Sequence, residues 1–161
     1  MNKNDVIKKL GLIPLEGEGG FYKRTFEFNL SINNRSINTS IYYLLTPDCF
    51  SCMHVLDGDE VYYYHDGPAL EMLLVYPDHS EIVKIGKDVL NGEYPQYTVP
   101  KGVYQGSHML NNDGEYTLVS TSNIPAYIDE GFKAGTYDEL KDRCKDKLDL
   151  LKLLTSTPIS K

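Results

Sequence analysis

The chain has 161 residues, 41% of them hydrophobic and 24% charged, and its 16 Lys and Arg against 23 Asp and Glu leave a formal net charge of −7. That length suits one domain able to bury about 70% of its unfolded surface. The acidic balance argues against nucleic acid, whose binding relies on Lys and Arg at the phosphates. No apolar run approaches the roughly 20 residues needed to cross a bilayer. The stretch from Met1 to Pro14 has neither the apolar segment nor the small-residue cleavage site of a secretory signal. Cys49, Cys52 and Cys144 form an odd set, which argues against a disulfide framework and for a reducing, cytoplasmic compartment. A small-molecule or protein partner is what these exclusions leave.

Asn4 is placed to cap a first helix over Asp5–Leu10, with an acid in its first turn, bases in its last and Gly11 as the stop. Short runs rich in Tyr, Ile, Val, Leu and Thr follow. They are Phe21–Leu30, Ser36–Leu45, Ser51–Leu56, Glu60–His65, Leu70–Tyr76, Glu81–Gly86, Gln96–Val99, Val103–Leu110 and Tyr116–Ser122. Between them lie turn formers such as Asn33-Asn34, Asp57-Gly58-Asp59, Asp66-Gly67-Pro68, Asn91-Gly92 and Asp113-Gly114, which tolerate positive φ. Many short, evenly spaced strands with no helices between them predict an all-β sandwich or barrel rather than an α/β sheet. A second helix is predicted from Tyr137 to about Leu154, with Thr136 and Glu139 at capping-box spacing. Leu140, Cys144, Leu148 and Leu151 form its apolar stripe, and the tail Thr155–Lys161 reads as loose. With no repeat, low-complexity stretch or linker, residues 1–161 read as a single domain, with a barrel over about 20–125.

Of the four histidines, His79 sits in a Pro-Asp-His-Ser turn and reads as exposed, whereas His54 falls inside an apolar strand just before a turn. His54, Leu56, Glu60 and Gly67 spell His-x-Leu-x3-Glu-x6-Gly, and Pro100 to Gln105 spell Pro-x-Gly-x-x-Gln. These resemble the two motifs of the cupin superfamily, His-x-His-x3–4-Glu-x6-Gly and Pro-x-Gly-x2-His-x3-Asn. Leu56 stands where the first motif has its second His, and Gln105 where the second motif has its His. Pro14 to Thr25, Thr39 to Leu45, Asp59 to Tyr62, Val99 to Gln105 and Gly131 to Gly135 with Glu139-Leu140 also resemble one branch of that superfamily. It is a small single-domain group once labelled a domain of unknown function, and the resemblance covers about residues 10–140. It implies an all-β double-stranded β-helix, a jelly-roll barrel, with the two helices outside it. It also implies a pocket in the barrel and, commonly, a homodimer. It supplies no established reaction.

Residues i and i+2 of a strand share a face. An inward His54 therefore brings Cys52 and Leu56 with it, and an inward Glu60 brings Tyr62 and Tyr64 while Tyr63 and His65 face out. An inward Gln105 brings Ser107 and Met109 and turns His108 away. That places one imidazole, one carboxylate, one amide, two phenols and a thiol around an apolar cavity, as a small-ligand site requires. Glu18-Gly19-Gly20 offers close backbone approach to a ligand or a plain strand-entry turn. Of Lys23 and Arg24, which alternate in direction, at most one reaches inward. Tyr42, Tyr43, Tyr63 and Tyr76 read as strand formers.

In cupins with three His and one Glu, those side chains hold a divalent transition metal, which the resemblance would place here on His54, Glu60 and Gln105. Non-haem iron needs two imidazoles and a carboxylate, and only one imidazole is in register. Cys49-x2-Cys52-x-His54 has the look of a zinc pair, but it lacks a second ligand pair and its thiols point to opposite faces of one strand. Without metal, the resemblance to cupin-fold sugar epimerases implies His54 as base, oriented by Glu60, and Tyr62 or Tyr64 as acid. Glu18, Cys52, Gln105 and Ser107 would then bind the ligand. Three functions stay open: an isomerase or epimerase needing no cofactor, a non-catalytic ligand-binding or sensing module, and a metal-dependent oxygenase or isomerase. The missing ligands count against the third.

Overall fold

The computed structural model describes residues 2–111 and 113–157. Helix α1 (Lys3–Leu10) leads into β1 (Ile13–Pro14), β2 (Phe21–Glu27), the hairpin β3 (Ser31–Ile32) and β4 (Arg35–Ser36), β5 (Thr39–Leu45), β6 (Ser51–Leu56) and β7 (Asp59–Asp66). Then come β8 (Leu70–Val75), β9 (Ser80–Ile85), β10 (Glu93–Tyr94), β11 (Gln96–Val99), β12 (Tyr104–Met109), β13 (Thr117–Ile124), β14 (Phe132–Ala134), α2 (Tyr137–Leu140) and α3 (Leu148–Leu154). One sheet runs in the order β1-β2-β5-β13-β7-β11 and the facing sheet in the order β10-β9-β8-β12-β6-β14. This is the jelly-roll barrel that the motif resemblance implies.

Alternation along the strands builds three apolar layers. Tyr43, Leu45, Tyr62, Leu70, Met72, Leu74 and Val119 point between the sheets and pack together. The residues between them face out: Met53, Leu73 and Val75 pack under Leu140, Cys144, Leu151 and Leu154. On the opposite side Phe21, Leu44 and Tyr116 are covered by Val6 and Leu12. Asn33 and Asn34, at φ +52° and +64°, make the tight turn of the β3–β4 hairpin. That hairpin divides the runs expected over Phe21–Leu30 and Ser36–Leu45.

Both helices depart from expectation. Asn2, not Asn4, caps α1: its side chain accepts from the Asn4 backbone N–H, so Asn4 lies within the first turn. The C-terminal helix is not continuous. It starts as predicted, with Thr136 accepting from the Glu139 N–H, but runs through a tighter turn over Lys141–Arg143 and restarts at Leu148. Docking explains the break. Arg143 donates to the Tyr76 carbonyl oxygen and lies over the Tyr104 ring, and the Lys147 N–H bonds back to Cys144 O at 2.7 Å. Leu140, Cys144 and Leu151 stay buried, while Leu148 leaves the stripe and is 38% exposed. In the tail read as loose, the Thr155 hydroxyl donates to Leu151 O and the Ser156 hydroxyl to Leu153 O. Residues 158–161 lie outside the described residues.

Candidate functional site

Strand register assembles the site in rows across the inner face of the first sheet. Tyr22 pairs with Tyr43 and Tyr43 with Val119, which pairs with Tyr64. Arg24 pairs with Ile41, Ile41 with Thr121 and Thr121 with Tyr62. Thr39 pairs with Asn123 and Asn123 with Glu60. At the Glu60 end of these rows lies a cavity of about 220 Å³. Its strand walls are Tyr22, Arg24, Thr39, Ile41, Tyr43, Leu56, Glu60 and Asn123; the β1–β2 loop adds Leu15, Glu16 and Glu18, and the segment after β13 adds Tyr127 and Asp129.

The β1–β2 loop is folded tightly against this cavity. Leu15 N–H donates to Gly20 O, Gly19 N–H to Leu15 O, and the Tyr43 hydroxyl to Gly19 O at 2.8 Å. Gly20 has φ +79°, and a Cβ there would lie 2.7 Å from the Tyr43 ring and 2.8 Å from Leu45. Only glycine fits that combination of backbone and space. The loop thereby sets Glu18 into the barrel mouth, where its carboxylate accepts from the Ser51 hydroxyl at 3.1 Å.

Below it is a buried polar chain. The Tyr62 hydroxyl donates to Gln105 Oε1 at 2.9 Å, and Gln105 Nε2 donates to Glu60 Oε2 at 2.8 Å. Glu60 is 6% exposed, and burial, helped by the Glu18 carboxylate, raises its carboxyl above the usual range. His54, Thr121 and Gln105 oppose that rise without cancelling it. Burial first, and then Glu60, push the Tyr62 phenol far up. His54 is 1% exposed, with its ring stacked on Phe132 at 5.2 Å. Its Nδ1 lies 2.8 Å from the Cys52 carbonyl oxygen, which only accepts, so Nδ1 carries the proton. Nε2 is directed toward Glu18 Oε1 at 3.9 Å.

The structure thus gathers His54, Glu60, Gln105, Tyr62, Glu18 and Cys52 in one region, each with its own partners. Glu18 and Glu60 line the cavity, whereas His54 stands behind Glu18. Tyr62 faces Gln105 rather than the cavity. Tyr64 is not brought to the site: two residues further along β7, its hydroxyl donates to the Gly67 carbonyl oxygen. Ser107 is buried on the inward face, and its hydroxyl has no hydrogen-bond partner among the described residues. The Cys52 thiol donates to Gly17 O, and burial and then Glu18 raise it to about 12. Cys49 Sγ accepts from the Gly20 N–H, so the two thiols serve separate backbone contacts of the loop.

Arg24 rather than Lys23 lines the cavity; the Lys23 ammonium lies beside Gly11. Tyr43, read as a strand former, also forms cavity wall. Sequence reasoning missed Tyr22, Thr39 and Asn123, which share the inward phase of their strands and were open to the same alternation argument. Tyr127 and Asp129 carry no such signal, because they follow β13 outside any strand, Asp129 at the start of a short 3-10 turn.

The residues proposed for a metal do not fit one. Gln105 turns its oxygen to Tyr62 and its N–H to Glu60, so it offers Glu60 no companion oxygen ligand. Among the described residues no group of three or more His, Cys, Asp and Glu is placed to hold a metal ion. Likewise, no helix among them is long and apolar enough to cross a membrane.

Known proteins place this arrangement. The chain is 34% identical over 146 residues to the uncharacterized protein YML079W of Saccharomyces cerevisiae, covering 77% of this chain and 71% of that protein. A hypothetical protein from Leishmania major has the same fold with a TM-score of 0.86 at 29% identity, over 96% of this chain and 99% of its own. Protein SO0799 from Shewanella oneidensis gives a TM-score of 0.88 at 29% identity, over 97% and 98% of the two chains. Residues 4–135 match the family described as cupin superfamily (DUF985), and the chain belongs to that family.

Proposed function

We propose that this cupin binds a small organic molecule in its barrel-mouth cavity and moves protons on it, as an isomerase or epimerase does. The observation that carries this reading is the Glu60 carboxyl. It lines the cavity, is held by Gln105, and is raised by burial and by Glu18. A carboxyl raised toward working pH is suited to give and take protons, and environments that shift carboxyls in this way favour catalytic sites. Glu18 is the second proton-transfer group, with His54 Nε2 3.9 Å from its Oε1. Gln105 and Tyr62 orient Glu60 and are positioning residues. This replaces the pairing of a His54 base with a tyrosine acid, because both phenolic hydroxyls are already committed to protein acceptors.

Sugars, sugar phosphates, keto acids and amines, followed by NMR for exchange of carbon-bound hydrogen with deuterated water, test the reading. Exchange should occur with a compound that binds, fall in Glu60→Gln and Glu18→Gln, and persist in Tyr64→Phe. Binding without exchange would remove the proton-transfer role and leave a ligand-binding module.

The same proposal includes a homodimer. Among the described residues, β2 past Tyr22 has a strand partner on one side only; exposed Phe26 lies on it, and exposed Leu30 and Ile32 on the segment that follows. An open edge with apolar side chains suits pairing with a second copy. A monomer by light scattering at micromolar concentration would contradict it.

A further inference from the structure

The charge around the cavity narrows what it accepts. Four of its lining residues are acids: Glu18 and Glu60 inside, Glu16 and Asp129 exposed at the rim. Arg24 is the one cation among the lining residues, and its guanidinium is paired with Glu27 at 3.2 Å. A phosphate or carboxylate entering here would meet like charge without a free cation to offset it.

The hydrogen-bond inventory agrees. A carboxylate offers about four acceptor sites. Glu60 receives Gln105 Nε2, and Glu18 receives the Ser51 hydroxyl. The remaining lone pairs of two partly or fully buried carboxyl groups call for further donors. Thr121, whose buried hydroxyl lies beside Glu60 on the inward face of β13, is a further neighbour of that carboxyl. The carboxylates are not grouped as a metal site, which favours a cation bringing its own N–H donors over a bare metal ion. The rings of Tyr22, Tyr43 and Tyr127 line the same space. Tyrosine faces attract organic cations as well as covering apolar carbon.

We propose that the ligand is a small organic cation carrying a protonated amine, with its ammonium between Glu18 and Glu60 and its carbon body against the tyrosines. This rests on the reading of the cavity as a small-molecule site and names the ligand class for it. An ammonium supplies three donors and a positive charge to the open acceptors, and the volume of about 220 Å³ restricts the body to one small ring or a short chain.

Calorimetric titration of the full chain at low ionic strength tests this with matched probes. The amines are cyclohexylamine, ethanolamine and glucosamine; their neutral counterparts are cyclohexanol, ethylene glycol and glucose; a hexose phosphate is the anion. At least one amine should bind, with its neutral counterpart about tenfold weaker or worse, since a hydrogen bond to a charged group is worth about that factor. The hexose phosphate should not bind. Glu60→Gln should weaken the amine by about tenfold or more, and added salt should weaken it further. Asp129→Asn, at the exposed rim and outside the core, should weaken it by a few-fold and does so without risk to folding. Amines binding no better than alcohols, or the phosphate binding best, would overturn the ligand class while leaving the cavity a small-molecule site. If no probe of any charge binds, the ligand class and the small-molecule reading fall together.

Discussion

Tyr62→Phe isolates the polar chain under the cavity. The substitution keeps the ring, which is 1% exposed, and removes only the hydroxyl that donates to Gln105 Oε1 at 2.9 Å. The amide cannot recover by flipping, because its Nε2 is engaged by Glu60 at 2.8 Å and a flip would set carbonyl oxygen against carboxylate. Gln105 is itself buried, so water does not easily replace the lost donor. An acceptor stranded in this way costs about 1–3 kcal/mol. For a domain of this size each kcal/mol lowers the melting temperature by roughly 2–4 °C, so a fall on the order of 5 °C is expected. Calorimetry and urea unfolding measure it, with Tyr64→Phe as the control. The Tyr64 hydroxyl is half-buried on the Gly67 carbonyl, where water can substitute, and the control should lose about 1 kcal/mol or less. Ligand binding should survive in Tyr62→Phe, since that hydroxyl does not face the cavity. Wild-type stability in Tyr62→Phe, or an equal loss in the control, would show that the chain of hydrogen bonds does not hold the barrel floor as described.

Two further outcomes follow from the same geometry. Glu60 is raised above its ordinary value of 4.5, so over the interval starting there the folded protein keeps a proton that the unfolded chain releases. Stability should therefore fall as pH rises through that interval. Glu60→Gln, which keeps an acceptor for Gln105, should lack this fall and gain on the wild type with rising pH; urea titrations from about pH 4 to pH 8 read the difference, and parallel curves would deny the shift. Gly20→Ala forces a side chain into positive φ and to within 2.8 Å of Tyr43 and Leu45. It should cost more than about 1 kcal/mol and displace Glu18, lowering melting temperature and ligand affinity together; an unchanged protein by both measures would mean that the loop is not set by that contact.

The sequence by itself determined what depends on local pattern. The strands Ser51–Leu56 and Gln96–Val99 have the bounds their composition predicts, and His54, Glu60 and Gln105 point inward with the alternation expected of them. Turn residues such as Asn33-Asn34 act where their tolerance of positive φ places them. Only the tertiary structure decided depth and partnership. Tyr62 and Tyr64 share a face, yet two residues along an extended strand separate them by roughly 7 Å, enough to set one beside Gln105 and the other at Gly67. Gln105 faces Glu60 with its N–H because Tyr62, 43 residues away, claims its oxygen. Tyr127 and Asp129 reach the cavity from the segment after β13, outside any strand, and the C-terminal helix breaks where Arg143 meets Tyr76 and Tyr104. Periodicity records which way a side chain points, but what it meets there is set by register and docking among segments far apart in the chain.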